Sequence, residues 1–232
     1  MMHSLPDGYH ALVIGASGTI GAAFEQLLRA DPRCASVVGL HRHSLPPIDF
    51  ADEASVAAAA RALAAVPRFH LIINAAGLLH NADVKPEKRL ADLAYAQLQA
   101  TFQANTFGPA LVLRHFVPLL APERALLAML SAKVGSIGDN RLGGWYSYRA
   151  SKAALNMLVK TASIEVARLQ PDSVLAALHP GTVNSRLSKP FKGEQIGRPA
   201  AQACADMLAV LDGLSAADSG CFRSYAGEVL PW

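Results

Sequence analysis

Long apolar runs are missing from this chain. Although 52% of its 232 residues are hydrophobic, no uninterrupted stretch approaches the ~20 residues that span a bilayer. The first eight residues, Met1 to Gly8, carry no basic region followed by an apolar one, so no secretory signal is read there. They are expected to form a disordered tail on a soluble, cytoplasmic protein with no membrane partner. Cysteine is scarce as well. Cys34, Cys204 and Cys221 are odd in number, far apart and in no Cys-x-x-Cys pair, which excludes a disulfide framework and a zinc site of that type. Eight histidines include His41 and His43 two apart, but no His-Glu-x-x-His or carboxylate cluster joins them, so no metal is expected. Charge of one sign is nearly absent too. A formal net charge of +3 gives no footprint for nucleic acid, although it suits a phosphate-bearing ligand.

What is present is an alternation. Short apolar runs at Ala11–Ile14, Ser36–Leu40, Phe69–Ile73, Arg124–Leu130, Ser173–Leu178 and Cys221–Tyr225 read as strands, with helical spacing between them. That order predicts a single α/β domain over residues 1–232, a doubly wound parallel sheet with helices on both faces. The first run opens into Gly15-Ala16-Ser17-Gly18-Thr19-Ile20-Gly21 and then a helical pattern. Strand, glycine-rich turn and helix make a phosphate cradle, because glycines admit a pyrophosphate and the helix start supplies free N–H groups. About twenty residues on, where an acidic side chain would read an adenosine ribose, the chain has His41-Arg42-His43. Arginine suits a ribose phosphate, so NADP(H) is expected over NAD(H); a solvated basic loop is the plain alternative. Asp49 and Phe50 follow a Pro46-Pro47 turn. The third strand runs into Asn74-Ala75-Ala76-Gly77, small residues that let a ligand approach the sheet edge.

Tyr148 and Lys152 stand four apart at the start of a helical pattern and so share one face. An ammonium beside a phenol favours the phenolate, and the pair reads as a general acid and its electrostatic tuner. Upstream, Ala94–Leu120 has helical spacing interrupted by Asn105, Gly108 and Pro109. Proline lacks the N–H that would meet the carbonyl of Asn105, so a kink is expected, either to hold a water or for packing alone. The polar stretch His80–Asp92 is expected near the site mouth. Residues 186–198, interrupted by Pro190, are expected to form a mobile substrate loop, whose Arg186, Lys189 and Lys192 either attract an anion or are simply solvated.

Taken together, the glycine-rich turn at Gly15, Asn74-Ala75-Ala76-Gly77, Asn105, Tyr148-x-x-x-Lys152 and Pro180-Gly181 resemble the short-chain dehydrogenase/reductase family in order and approximate spacing. The stretch Gly143-Gly144-Trp145-Tyr146-Ser147-Tyr148-Arg149-Ala150-Ser151-Lys152 is most similar to the branch containing sniffer-like carbonyl reductases and the C-factor signalling protein. The resemblance implies a Rossmann fold and a small carbonyl or alcohol substrate. It implies that Tyr148 protonates a carbonyl oxygen and that Lys152 holds the nicotinamide ribose and depresses the tyrosine pKa. Asn105 would anchor a water through its main-chain carbonyl. Gly15, Ser17, Gly18, Thr19, Ile20, Gly21, Arg42, Asp49, Phe50, Asn74, Ala75, Ala76 and Gly77 would line the cofactor, with Asp49 facing the adenine. Pro180, Gly181, Thr182 and Val183 would follow the nicotinamide amide. Family members commonly pair as homodimers or homotetramers, and monomers also occur.

Two features depart from the family pattern. The turn has Thr19 where compact members usually carry a glycine. The substrate-orienting serine, three residues before the glycine matching Gly135, is here Ala132. Ser131 is the candidate replacement, provided that the strand end twists; Ser136 and no replacement at all are the other readings. An NADPH-dependent carbonyl reductase is therefore expected, with a C-factor-type regulatory protein of weak turnover as the alternative.

Overall fold

The computed structural model describes residues 2–191 and 193–232; Met1 and Lys192, named above in the tail and in the basic loop, lie outside the described residues. Six strands, β1 (Tyr9–Ile14), β2 (Cys34–Leu40), β3 (Leu71–Asn74), β4 (Leu126–Leu130), β5 (Val174–His179) and β6 (Cys221–Ser224), form one sheet in the order β2-β1-β3-β4-β5-β6. Every pairing is parallel. Helices α1 (Thr19–Ala30), α2 (Glu53–Leu63), α3 (Tyr95–Phe102), α4 (Gly108–Phe116), α5 (Tyr146–Leu169), the short α6 (Gly193–Ile196) and α7 (Ala200–Gly213) complete the chain. The doubly wound α/β architecture expected from the sequence is the one observed.

Burial on both faces explains why the strands read as continuous apolar runs. Ile14, Ile72, Leu127, Met129, Leu175 and Ala177 join one core with residues of α2, α4 and α5. Their neighbours Val13, Ile73, Leu126, Ala128, Val174 and Ala176 join the other, with residues of α1 and α7. Large side chains such as Phe24 and Phe116 are fully buried in these layers, each contributing about 1.5–3 kcal/mol. The chain leaves β1 for β2 on one side and returns to β3 on the other. That reversal opens a crevice beyond the carboxyl ends of β1 and β3, where parallel sheets take ligands.

The expected disordered tail is corrected from Met2 onward. Met2 and Leu5 are buried in the α1/α7 core, Asp31 accepts from the Met2 N–H, and Arg33 donates to the carbonyls of Met2 and Leu5. Two apolar side chains within the first five residues suffice to tie the segment down, and tails lack order only where nothing does so.

The expected kink is a π-helical segment, Gln103–Phe107, between α3 and α4. Gly108 N–H donates to the carbonyl of Gln103, five residues back, and Pro109 occupies the start of α4.

Candidate functional site

Two neighbouring cavities open at the carboxyl edge of the sheet. The first, about 540 Å³, is lined by Gly15, Ser17, Gly18, Arg42, Asp49 and Phe50, together with Ala75, Ala76 and Gly77. The second, about 510 Å³, is lined by Ile20, Ser131, Tyr148, Pro180, Gly181, Thr182 and Val183. The sequence-predicted site residues thus gather at one edge. Thr19, Gly21, Asn74, Asn105 and Lys152 line neither cavity and sit around them.

At Gly15, φ is +85°, and a Cβ there would fall 2.7 Å from the Ala76 nitrogen, so only glycine fits between β1 and the turn after β3. Gly18 precedes α1, and no side chain caps that helix start. Its first-turn N–H groups are left for an outside acceptor. Arg42 stands exposed at the rim of the same cavity and makes no ion pair among the described residues. Asn74 is buried; its carboxamide oxygen accepts from the Ala76 N–H at 3.2 Å and so shapes the turn.

Asn105 is fully buried and clamps Leu78 from both sides: its Nδ2 donates to the Leu78 carbonyl at 2.7 Å and its Oδ1 accepts from the Leu78 N–H at 2.7 Å. Asn105 Nδ2 also donates to Ser151 Oγ, which donates to the Tyr148 carbonyl. The π-helical segment and the tyrosine helix are joined by these bonds. A Cβ on Gly77 would lie 3.2 Å from Asn105 Oδ1 and 3.5 Å from Lys152 Nζ, which brings all three together at the edge of the first cavity.

Helix α5 begins abruptly. Gly143, Gly144 and Trp145 have φ of +63°, +65° and +53°, a left-handed run that the two glycines permit and the tryptophan completes. Trp145 N–H donates to the Glu87 carbonyl at 2.5 Å. The buried Glu87 carboxylate accepts from the Ser147 N–H at 3.2 Å and from the Ser147 hydroxyl. A carboxylate from the polar stretch thus serves the first turn of the helix. Tyr148 follows directly, with its hydroxyl free of protein hydrogen bonds among the described residues and its ring facing the second cavity. Arg149 donates to the carbonyls of Val134, Gly143 and Gly144, bracing the loop from beneath.

Lys152 is buried, donates to the Leu130 carbonyl at 2.9 Å and has Nζ 5.8 Å from the Tyr148 ring centroid. The expected depression of the tyrosine pKa is corrected. Burial pushes the phenol above its ordinary value, and the same desolvation pulls Lys152 down to about 8. At this separation the cation does not offset the loss of water around the phenol.

Ser131 lines the second cavity, but the hydroxyl expected to replace the missing serine is already engaged. Its Oγ is buried and donates to Asn156 Oδ1 on α5 at 2.6 Å. Ala132 is extended (φ −148°, ψ 143°), so the strand end neither twists nor bulges to exchange the two positions. The Ser136 hydroxyl accepts from the Asp139 N–H, donates to the Trp232 carbonyl, and belongs to a turn outside the second cavity.

Leu79, Trp145, Leu187 and Phe191 make the second cavity largely apolar. The two segments expected at the site mouth meet over it. His80 Nε2 lies 3.0 Å from the Leu187 carbonyl, and the Trp145 ring is 4.9 Å from Phe191 and 6.1 Å from Tyr148. Lys189 pairs with Glu194 at 3.1 Å, and neither Arg186 nor Lys189 lines the cavity. Sequence reasoning missed Glu87, Trp145 and Asn156, whose parts depend on residues far away in the chain. Among the described residues no helix is long and apolar enough to cross a membrane.

A family model described as Enoyl-(Acyl carrier protein) reductase matches residues 23–211. C-signal of Myxococcus xanthus is 38% identical over 146 residues, 62% of this chain and 83% of that protein. A 1-hydroxy-2-glutathionyl-2-methyl-3-butene dehydrogenase of Rhodococcus sp. (strain AD45) is 35% identical over 156 residues, 67% of each. Among solved structures, an NADPH-bound carbonyl reductase from chicken fatty liver superposes with a TM-score of 0.83 at 27% identity, covering 98% of this chain and all of that one. With Tyr148, Lys152 and the glycine turn gathered at one sheet edge, the chain belongs to the short-chain dehydrogenase/reductase family and is an NAD(P)-dependent oxidoreductase.

Proposed function

We propose that this protein is an NADPH-dependent reductase of apolar carbonyl compounds, with Tyr148 as the general acid. The observation that carries this reading is the Tyr148 hydroxyl, free of protein partners among the described residues, in an apolar cavity beside one suited to a dinucleotide. The fit to a dinucleotide rests on the uncapped start of α1, the bare backbone at Gly77 beside Lys152, and Arg42 at the rim, in no ion pair among the described residues. Bound NADPH would supply the hydride. Gly15, Ser17, Gly18, Thr19, Ile20 and Gly21 would hold its pyrophosphate, Arg42 the ribose phosphate, and Asp49 and Phe50 the adenine side. Asn74, Ala75, Ala76 and Gly77 would flank the sugar, Lys152 would hold the nicotinamide ribose hydroxyls, and Pro180 to Val183 the amide.

Tyr148 gives its proton to the carbonyl oxygen. Its raised pKa keeps it protonated at neutral pH, as an acid must be before it acts. Lys152 and a water on the Asn105 carbonyl restore that proton from solvent. On this reading the segment 186–191 supplies the substrate loop, with Leu187 and Phe191 in the cavity lining, and the protein acts in the cytoplasm, as a homodimer or homotetramer where it assembles. NADPH consumption against a panel of aldehydes, ketones and quinones tests the reading: turnover is expected, and Tyr148→Phe is expected to abolish it.

A second reading, a C-signal-like regulatory protein with weak turnover, draws on Ala132 and on the likeness to C-signal. NADPH binding in wild type and in Tyr148→Phe alike, with no carbonyl reduced by either, would favour it.

A further inference from the structure

The reductase reading leaves one role unfilled, the donor that orients the substrate carbonyl beside Tyr148. Ala132 has no hydroxyl, and those of Ser131 and Ser136 are engaged elsewhere. Most other polar side chains around the second cavity are also committed. Lys133 pairs with Asp139 at 3.7 Å, Arg149 is bound to main-chain carbonyls, and Ser185 and Ser188 bond to each other. His179 lines the same cavity, and its ring makes no hydrogen bond among the described residues.

The sheet places this ring. Leu130 of β4 lies opposite Leu178 of β5 in a parallel pair, so the next residues, Ser131 and His179, project from the same face. Ser131 shows which face, because its hydroxyl meets Asn156 on α5, the helix that carries Tyr148 and Lys152. Of the two ring nitrogens of His179, Nδ1 is buried and has no partner among the described residues. Burial, and then the Lys133 ammonium, hold His179 down to about 4, so at neutral pH its ring carries one proton. Nε2 is not among the buried atoms, so of the two ring nitrogens it is the one open to the cavity, and a proton on it faces the substrate space.

We propose that His179 is the substrate-orienting residue of this reductase, donating from Nε2–H to the substrate carbonyl oxygen. The proposal rests on the reductase reading and accounts for a chain that carries Ala132 without a hydroxyl in its place.

The test uses a carbonyl that the wild type reduces, with kcat, KM, NADPH affinity and melting temperature measured for His179→Leu, His179→Gln, and His179→Leu combined with Ala132→Ser. His179→Leu is expected to lower kcat on the order of 10²-fold, as loss of a transition-state donor does, while NADPH affinity stays unchanged. His179→Gln keeps an N–H donor and is expected to fall less; it also carries the test should the leucine variant fold poorly. Ala132→Ser is expected to return about tenfold of the loss, a rescue that a merely structural histidine would not show. A fall that Ala132→Ser leaves untouched overturns the proposal. So does wild-type kcat in His179→Leu where Tyr148→Phe is dead, and that result leaves the reductase reading standing. Wild type that binds NADPH and reduces no carbonyl overturns both.

Discussion

Glu87→Ala removes the carboxylate on which α5 starts. Glu87 is 2% exposed, and its side chain is the acceptor for both the N–H and the hydroxyl of the buried Ser147. Alanine leaves two buried donors unpaired, at about 1–3 kcal/mol each. It also takes an anion from the first turn, worth about 0.3–1 kcal/mol. A central expectation is about 4 kcal/mol, which at about 2–4 °C per kcal/mol for a chain of this size lowers the melting midpoint by roughly 8–16 °C. Glu87→Gln keeps an acceptor and should lose less. The functional consequence follows from adjacency, since Tyr148 is the next residue and a frayed first turn displaces its phenol. A displacement near 1 Å costs on the order of 10²-fold in rate. Circular dichroism at 222 nm gives the midpoint, and NADPH oxidation gives kcat. A Glu87→Ala variant that melts within about 2 °C of wild type and turns over at the same rate would refute this account.

Arg42→Asp should invert the cofactor preference, because the carboxylate repels a ribose phosphate and accepts from ribose hydroxyls; an unchanged ratio of kcat/KM for NADPH over NADH would remove the argument for Arg42. For Lys152, the folded value of about 8 lies below its ordinary 10.5, so between those values the unfolded chain binds more protons. Stability therefore rises with pH through that window, by up to roughly 3 kcal/mol, relative to Lys152→Met. Urea midpoints of both proteins at the two ends of the window check the sign; parallel curves would show that burial leaves the lysine unshifted.

The strands were legible because a parallel sheet covered on both faces has no polar side to conceal it. Their boundaries moved by a few residues: β3 begins at Leu71, since Phe69 pairs with Leu120 outside the ladder. The glycine turn, Asn74 to Gly77, and the tyrosine–lysine pair could be read because each needs a local backbone shape or a fixed spacing. The tyrosine pKa could not, because proximity to Lys152 is a sequence property whereas desolvation belongs to the assembled cavity. The engagement of the Ser131 hydroxyl was hidden for a similar reason. Its partner, Asn156, lies on a helix 25 residues away and reaches it only across the sheet face. Glu87 left no signal in an exposed-looking polar stretch, since its partner Ser147 stands 60 residues further on.

The π-helical segment at Gln103–Phe107 constrains how this region can be altered. Deleting one residue there would restore a regular helix and turn everything beyond it by about 100°. Upstream, α3 packs on α5; downstream, α4 packs on α2 as well as α5, with Gly108 flat against the Phe50 ring. Within the segment, Asn105 grips Leu78, and Thr106 donates to the Ser151 carbonyl at 3.0 Å. A shortened helix would keep one set of these neighbours and rotate the other toward solvent. The surplus residue therefore acts as a phase setting between two helix faces, and shortening it would mean rebuilding one of their interfaces as a whole.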